Sequence, residues 1–255
     1  MDKYIADMDN NKVKIYKLPV KKIIIQAFII PWVFKREILS KLFIPIFLLV
    51  LLEYVNYGKS EDINDINYLL VLFSILIYVY FAVTCHRIIL LGDDFIPPYG
   101  FRMWTVRDTK FLIWMTVMIL SIWLIMFVLM RASVLFIHIS QYNFSLYLII
   151  LFYSFVFILA VYVLSRLSLI FPSTAVDEMK NIKWAWNITH GNAWRLALIV
   201  VALPMFIGFT VELIESAVGS SAMIDAILYL VTLLVLIIEV SALSLAYKEI
   251  RNSNI

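Results

Sequence analysis

Six apolar runs, at about 39–55, 68–85, 111–130, 144–164, 196–212 and 226–246, constrain what this chain can fold into more than any other feature. An α-helix needs about 20 residues to cross a hydrocarbon core about 30 Å thick, and within that core each backbone polar group must be satisfied inside its own segment. A membrane barrel would instead show alternating segments of about ten residues. The expected fold class is therefore all-α: a polytopic membrane helical bundle of six transmembrane helices, arranged as three hairpins. Charged residues make up 15% of the chain, against about a quarter in a soluble domain, which agrees with that class. Pro45 in the first run and the Pro204/Gly208 pair in the fifth predict kinks or local loosening.

Ahead of the first run, residues 1–20 alternate acids with lysines and read as a polar cytoplasmic tail. Residues 21–35 are apolar but too short to cross, and basic pairs flank them at Lys21/Lys22 and Lys35/Arg36. An amphipathic helix lying in the interface fits them better than a span. No small-residue cleavage site follows, so no removable signal peptide is expected. Residues 21–255 are then a single integral membrane domain. The single cysteine, Cys85, excludes an internal disulfide.

Loop charge sets the expected orientation. Nineteen of the 21 lysines and arginines fall before or at the start of the first run, in 87–110, in 166–195, or after the last run. Only Lys59 and Arg131 face the other way, beside Glu61, Asp62, Asp65, Glu215 and Asp225. The positive-inside rule puts both termini in the cytoplasm. Trp32, Trp104, Trp184, Trp186 and Trp194 fall on the same side, where an amphipathic ring suits the headgroup zone. Three entries into odd-numbered spans share a Trp-bearing basic plan, starting at Pro31, Arg102 and Trp186, and suggest a threefold repeat of hairpins entered through interfacial helices. The belt and positive-inside rules alone would also collect those residues there.

The longest polar break in the second half is 165–194. Thr174-Ala-Val-Asp177 fits a capping box and Gly191 a C′ position, so a helix over about 175–190 is expected, with Pro172 ending the fourth span and Asn192 capping the fifth. Within this stretch Arg166, Ser168, Pro172, Val176, Asp177, Trp186, Thr189, Gly191, Asn192 and Trp194 form a pattern. It resembles that of bacterial inner-membrane proteins of the YciC type, and is similar to the membrane domain attached to some glycerophosphodiester phosphodiesterases. The resemblance covers about 30 of the 255 residues. It implies a bacterial inner-membrane address and carries over no catalytic residue.

Glu239 lies deep in the last run, where a lipid-facing charge costs at least about 2.5 kcal/mol. Glu239, Arg166 and Arg87 are thus a candidate intramembrane polar site, with a proton or cation as one reading and an inter-helix hydrogen bond as the other. Trp186, Asn192, Trp194 and Arg195 are candidate headgroup-contact residues, with the lipid bilayer, and anionic phospholipid in particular, as the partner. Glu53, Arg131 and Glu212 sit near the outer ends of spans and could form a salt-bridged rim. His86, His138 and His190 cannot meet at one metal in this topology, and the pairs Asp93-Asp94 and Asp177-Glu178 are explained by capping and solvation without a cofactor. No hydrolase, metalloprotease, P-loop or dinucleotide motif occurs. A net charge of +3 gives no support to a nucleic-acid partner. Two function classes remain: a non-enzymatic inner-membrane protein, associated with lipid or envelope or moving a small solute, and a membrane-embedded enzyme acting on lipid head groups through Asp93, Asp94, Asp177, Glu178 and His190.

Overall fold

The structure, a computed structural model, describes residues 16–56, 65–92, 102–139, 144–178, 180–218 and 221–253. Its secondary structure is all-α. The elements are α1 (Val20–Val33), α2 (Lys35–Asn56), α3 (Asp65–Leu91), α4 (Val106–Ile139), α5 (Phe144–Leu167), α6 (Ile170–Ala175), α7 (Ile182–Ile188), α8 (Ala193–Ala197), a π-turn (Leu198–Ala202), α9 (Leu203–Val218) and α10 (Ala222–Ser253). Among the described residues, six segments are long and apolar enough to cross a bilayer. The protein is a multi-pass membrane bundle.

Each crossing helix runs beyond the apolar run that predicts it. The second run ends near Cys85, for example, whereas α3 continues to Leu91. Helices outlast their hydrocarbon stretch because polar residues at the ends still close backbone bonds within the helix. Pro45 lies inside α2, which runs on unbroken from Lys35 to Asn56, whereas Pro31 and Pro204 each mark an irregularity by a different route. Pro31 lacks an N–H, and the chain bends three residues later at Phe34 (φ −95°, ψ 20°). The Phe34 amide still donates to the Ile30 carbonyl at 2.9 Å, and Ile38 to Phe34 at 2.8 Å, so α1 and α2 remain joined by backbone hydrogen bonds. Pro204 follows the π-turn, in which the Leu203 amide donates to the Leu198 carbonyl. That wider turn accommodates the donor missing at Pro204 within the span Ala193–Val218.

Packing is uneven. Helix α10 is the hub, touching α1, α2, α3 and α9. Its Ala242 and Ala246 are fully buried in one apolar cluster with Ile23 and Ala27 of α1, Leu169, and Leu196 and Ile199 of the fifth span. Small residues on both helices let the backbones approach closely. A second cluster joins Ile38 and Leu42 of α2 to Phe81, Cys85 and Ile88 of α3 and to Ile237 of α10. The α4–α5 hairpin stands apart. It packs mainly on itself, on α3 and on the short helices α6 to α8, and exposes Trp123, Phe127, Phe155 and Phe157.

Three sequence expectations change here. The helix expected over 175–190 is shorter: Asp177 takes a left-handed φ of 63°, and α7 starts only after Asn181, whose side chain caps the Trp184 amide at 2.9 Å. Pro172 lies inside α6 instead of ending the fourth span, because the chain resumes helix at Ile170. Of the three expected entry helices, the second is missing among the described residues, since Arg102–Thr105 is non-helical and α4 begins at Val106. The Ala242→Leu substitution should overpack the α1–α10 contact and lower the thermal unfolding midpoint in detergent, with a cost of about 1–3 kcal/mol. An unchanged midpoint would show that the two helices are not held at this spacing.

Candidate functional site

The polar chemistry gathers on the face where α3, α5 and α10 end and where the basic connections return. Arg87, one turn from the end of α3, has a side chain only 8% exposed. It donates to the Ala175 carbonyl at 3.0 Å and to Asp177 Oδ2 at 3.1 Å. Arg107, in the first turn of α4, donates to the same oxygen at 2.8 Å. Asp177 therefore joins α3, α4 and the segment after α6. The left-handed backbone at Asp177 places the residue between the two cations, at the steric cost a non-glycine pays there. A guanidinium buried to this degree is costly unless it is paired, and the Asp177 carboxylate offsets part of that cost.

Arg166 solves the same problem without an acid. It is 4% exposed, and its Nε donates to Thr189 Oγ1 at 3.1 Å, its Nη1 to the Tyr162 hydroxyl at 3.2 Å, and its Nη2 to the Trp186 carbonyl. The guanidinium carbon lies 3.8 Å from the Trp186 ring centroid. Tyr162 also packs against Trp194 at 5.6 Å between ring centroids. Arg166 thus fastens α7 to α5, and the aromatic group around it is filled by the protein's own cation.

Asn192 is 4% exposed and does not cap α8. Its Oδ1 accepts from the Leu18 amide at 2.9 Å and its Nδ2 donates to the Tyr16 carbonyl at 2.8 Å. The segment 16–19, expected to belong to a loose tail, is held by these bonds, while residues 1–15 lie outside the described residues. Glu249 completes the clamp, accepting from Tyr16 at 2.9 Å and from Lys22 at 2.9 Å. Burial and the Glu249 carboxylate together raise the Tyr16 phenol above its ordinary value. Glu178 accepts from Tyr247 at 2.6 Å and from Arg251 at 2.8 Å.

Of the candidate polar site, Arg87 and Arg166 sit in separate networks and Glu239 joins neither. Glu239 makes no hydrogen bond or ion pair to the described residues, and lines a cavity of about 340 Å³ between α9 and α10 with Glu212, Glu215, Thr232 and Tyr78. No basic side chain lines it, and no metal-binding group of acids, histidines or cysteines occurs among the described residues. Of the headgroup candidates, Trp186 and Trp194 are exposed, Trp194 by 56%, Arg195 is half-buried, and Asn192 is buried and engaged. The outer rim is not formed among the described residues: Arg131 lies over the Phe127 ring at 5.1 Å, without Glu53 or Glu212. His86 is buried and bonds Ser244 at 2.7 Å, joining α3 to α10. The carboxylate pairs behave unlike the expectation, since Asp177 and Glu178 are cross-links and not caps, and Asp93-Asp94 lies outside the described residues.

Sequence reasoning missed Asp108. It is fully buried, takes both terminal nitrogens of Arg102 at 2.6 and 2.5 Å, and accepts from the Thr105 amide at 2.8 Å. Thr105-Val-Arg-Asp108 is a capping box at the start of α4, and its sequence signal was there to be read.

Asp177 offers a test of how strain and charge share the node. Both Asp177→Ala and Asp177→Gly remove the acceptor for Arg87 and Arg107, but only glycine relieves the left-handed backbone. The alanine variant should be less stable than the glycine variant by about 1 kcal/mol in chemical unfolding. Equal stabilities would show that the backbone at 177 relaxes once the carboxylate is gone.

A scan against protein-family models finds no match for this chain, and searches of curated proteins and of solved structures return none, so the geometry described above is what a functional conclusion has to stand on.

Proposed function

We propose that the protein is a non-enzymatic inner-membrane protein of the bacterial envelope, with both termini cytoplasmic, and that it holds a lipid between its helices. One observation carries this proposal: an apolar opening of about 850 Å³ between α4, α5 and the π-turn. Its walls include Met118, Ile122 and Met126 of α4, Phe157 and Val161 of α5, and Val200 and Val201 of the π-turn. Ligand sites of this kind occupy about 300–1,000 Å³.

The wall chemistry favours hydrocarbon over a polar solute. Only three hydroxyl side chains line the opening, and each already donates to a backbone carbonyl: Tyr153 to Leu129 at 3.1 Å, Ser154 to Ile150 at 2.8 Å and Ser168 to Ser165 at 2.8 Å. A small hydrophilic solute would find no unsatisfied donor to replace its water. The charge asymmetry read from the sequence supports the orientation, and the resemblance over 165–194 supports the inner-membrane address.

The enzymatic alternative, headgroup chemistry at the cytoplasmic face, draws on Asp177, Glu178 and His190. Asp177 and Glu178 each bind cations of the protein itself, and His190 is exposed at the end of α7. These carboxylates serve better as cross-links than as proton acceptors for a substrate.

Native mass spectrometry of the purified full chain should show retained phospholipid. Ala160→Trp, which fills the opening from α5, should retain one phospholipid fewer per chain than the wild type. Equal lipid retention by the two proteins would overturn the proposal.

A further inference from the structure

A second apolar groove, of about 300 Å³, lies between α2 and α3. Ile44, Pro45 and Leu48 form one wall, and Phe73, Leu76 and Ile77 the other. Tyr80, Arg102 and Trp104 close one end. From Tyr80 to Phe73 the groove follows α3 for about 10 Å. Both walls belong to membrane-crossing helices, so the medium that meets the groove is hydrocarbon.

Arg102 distinguishes this groove from an ordinary lipid-facing furrow. Its side chain is 9% exposed, its terminal nitrogens are taken by Asp108, and its guanidinium lies 4.5 Å from the Tyr80 ring centroid. Its backbone amide donates to the Tyr80 hydroxyl at 2.9 Å. The Nε, in contrast, is buried and has no hydrogen-bond partner among the described residues. A buried guanidinium donor left unpaired is costly and calls for an acceptor. Asp108 fixes the guanidinium in place, so the remaining donor is pre-oriented.

We propose that this groove is a binding site for a glycerophospholipid, with an acyl chain between α2 and α3 and a phosphate oxygen accepting from Arg102 Nε. A phosphate oxygen meets the requirement best because charge-assisted hydrogen bonds to guanidinium are about twice as strong as neutral ones. Trp104, 42% exposed, donates its indole N–H to Thr109 at 2.9 Å and presents its ring beside the site, at the level where aromatic rings meet headgroups. The site shares no residue with the larger opening between α4 and α5, and neither proposal depends on the other.

The test uses the detergent-solubilised full chain and dioctanoyl phosphatidylglycerol carrying a diazirine in one acyl chain, with mapping of the labelled peptides. Label is expected on the peptides holding 44–48 and 73–80. Unlabelled dioctanoyl phosphatidylglycerol should displace it, dioctanoylglycerol should need about tenfold more, and inorganic phosphate should not compete. Leu76→Trp, which fills the groove, and Arg102→Lys, which keeps a cation beside Asp108 but loses the Nε donor, should each reduce label at these peptides about tenfold. Thermal midpoints near that of the wild type show that the two variants are folded, and the competition arms on the wild-type protein stand without them. Absence of label at these peptides, equal competition by dioctanoylglycerol, or competition by inorganic phosphate would each overturn the proposal.

Discussion

A cation at the edge of an apolar helix bundle has to be matched, and three arginines on one face impose most of the order seen there. Removing a guanidinium from water costs several kcal/mol unless its donors are met. Arg87 is met by Asp177, the terminal nitrogens of Arg102 by Asp108, and Arg166 by two hydroxyls, a carbonyl and two rings. The first and the last of these join elements that the apolar runs alone would leave apart. The connection after α6 must fold back to bring Asp177 between α3 and α4, and α7 must lie against α5 to offer Thr189 and the Trp186 carbonyl. Part of what reads as a basic surface is therefore an internal set of cross-links through Arg87, Arg107 and Arg166.

That inversion explains how the sequence could be read correctly for one property and not for another. Hydrophobic length is a one-dimensional quantity, so six runs long enough to cross were legible directly, as was the all-α class. Capping was legible only as a pattern. Thr-x-x-Asp occurs at Thr105–Asp108 and again at Thr174–Asp177, and nothing local separates the two. At the first, the aspartate reaches back to the threonine amide and opens a helix. At the second, Thr174 bonds the Ile170 carbonyl instead, and Asp177 turns left-handed to serve Arg87 and Arg107. The arginines decide, and they come from elements about 70 and 90 residues away.

Partner identity was illegible for a related reason. Arg87, Arg166 and Glu239 are all expensive, which is why the sequence singles them out together. Whether two such residues meet depends on the rotation of each helix about its axis, where one residue changes the direction by about 100°. Glu239 points to the α9–α10 cavity while both arginines are engaged at the end of the bundle. Asn192 shows the same limit on a smaller scale. Its position before a helix predicts a cap, but the Tyr16–Leu18 backbone offers two hydrogen bonds, and a buried amide takes the site that satisfies both its ends.

The uneven packing follows from the solvent. In water an apolar gap of about 850 Å³ beside α4 and α5 would tend to close, because collapse removes apolar surface. In a bilayer that force is absent, since lipid tails are as apolar as the side chains, and helices associate only where packing or polar contacts favour it. Those contacts are concentrated where small residues bring α1 against α10, and where the arginines join the connections to the helix ends. The α4–α5 hairpin receives them at one end only, through Arg107 and Arg166, while across its apolar length the π-turn and Pro204 set the facing span off from regular helix. An opening fixed at its polar end and lined by hydrocarbon along its length suits the lipid proposed for it. The same arginines that close the basic face therefore leave the lipid-facing flank open.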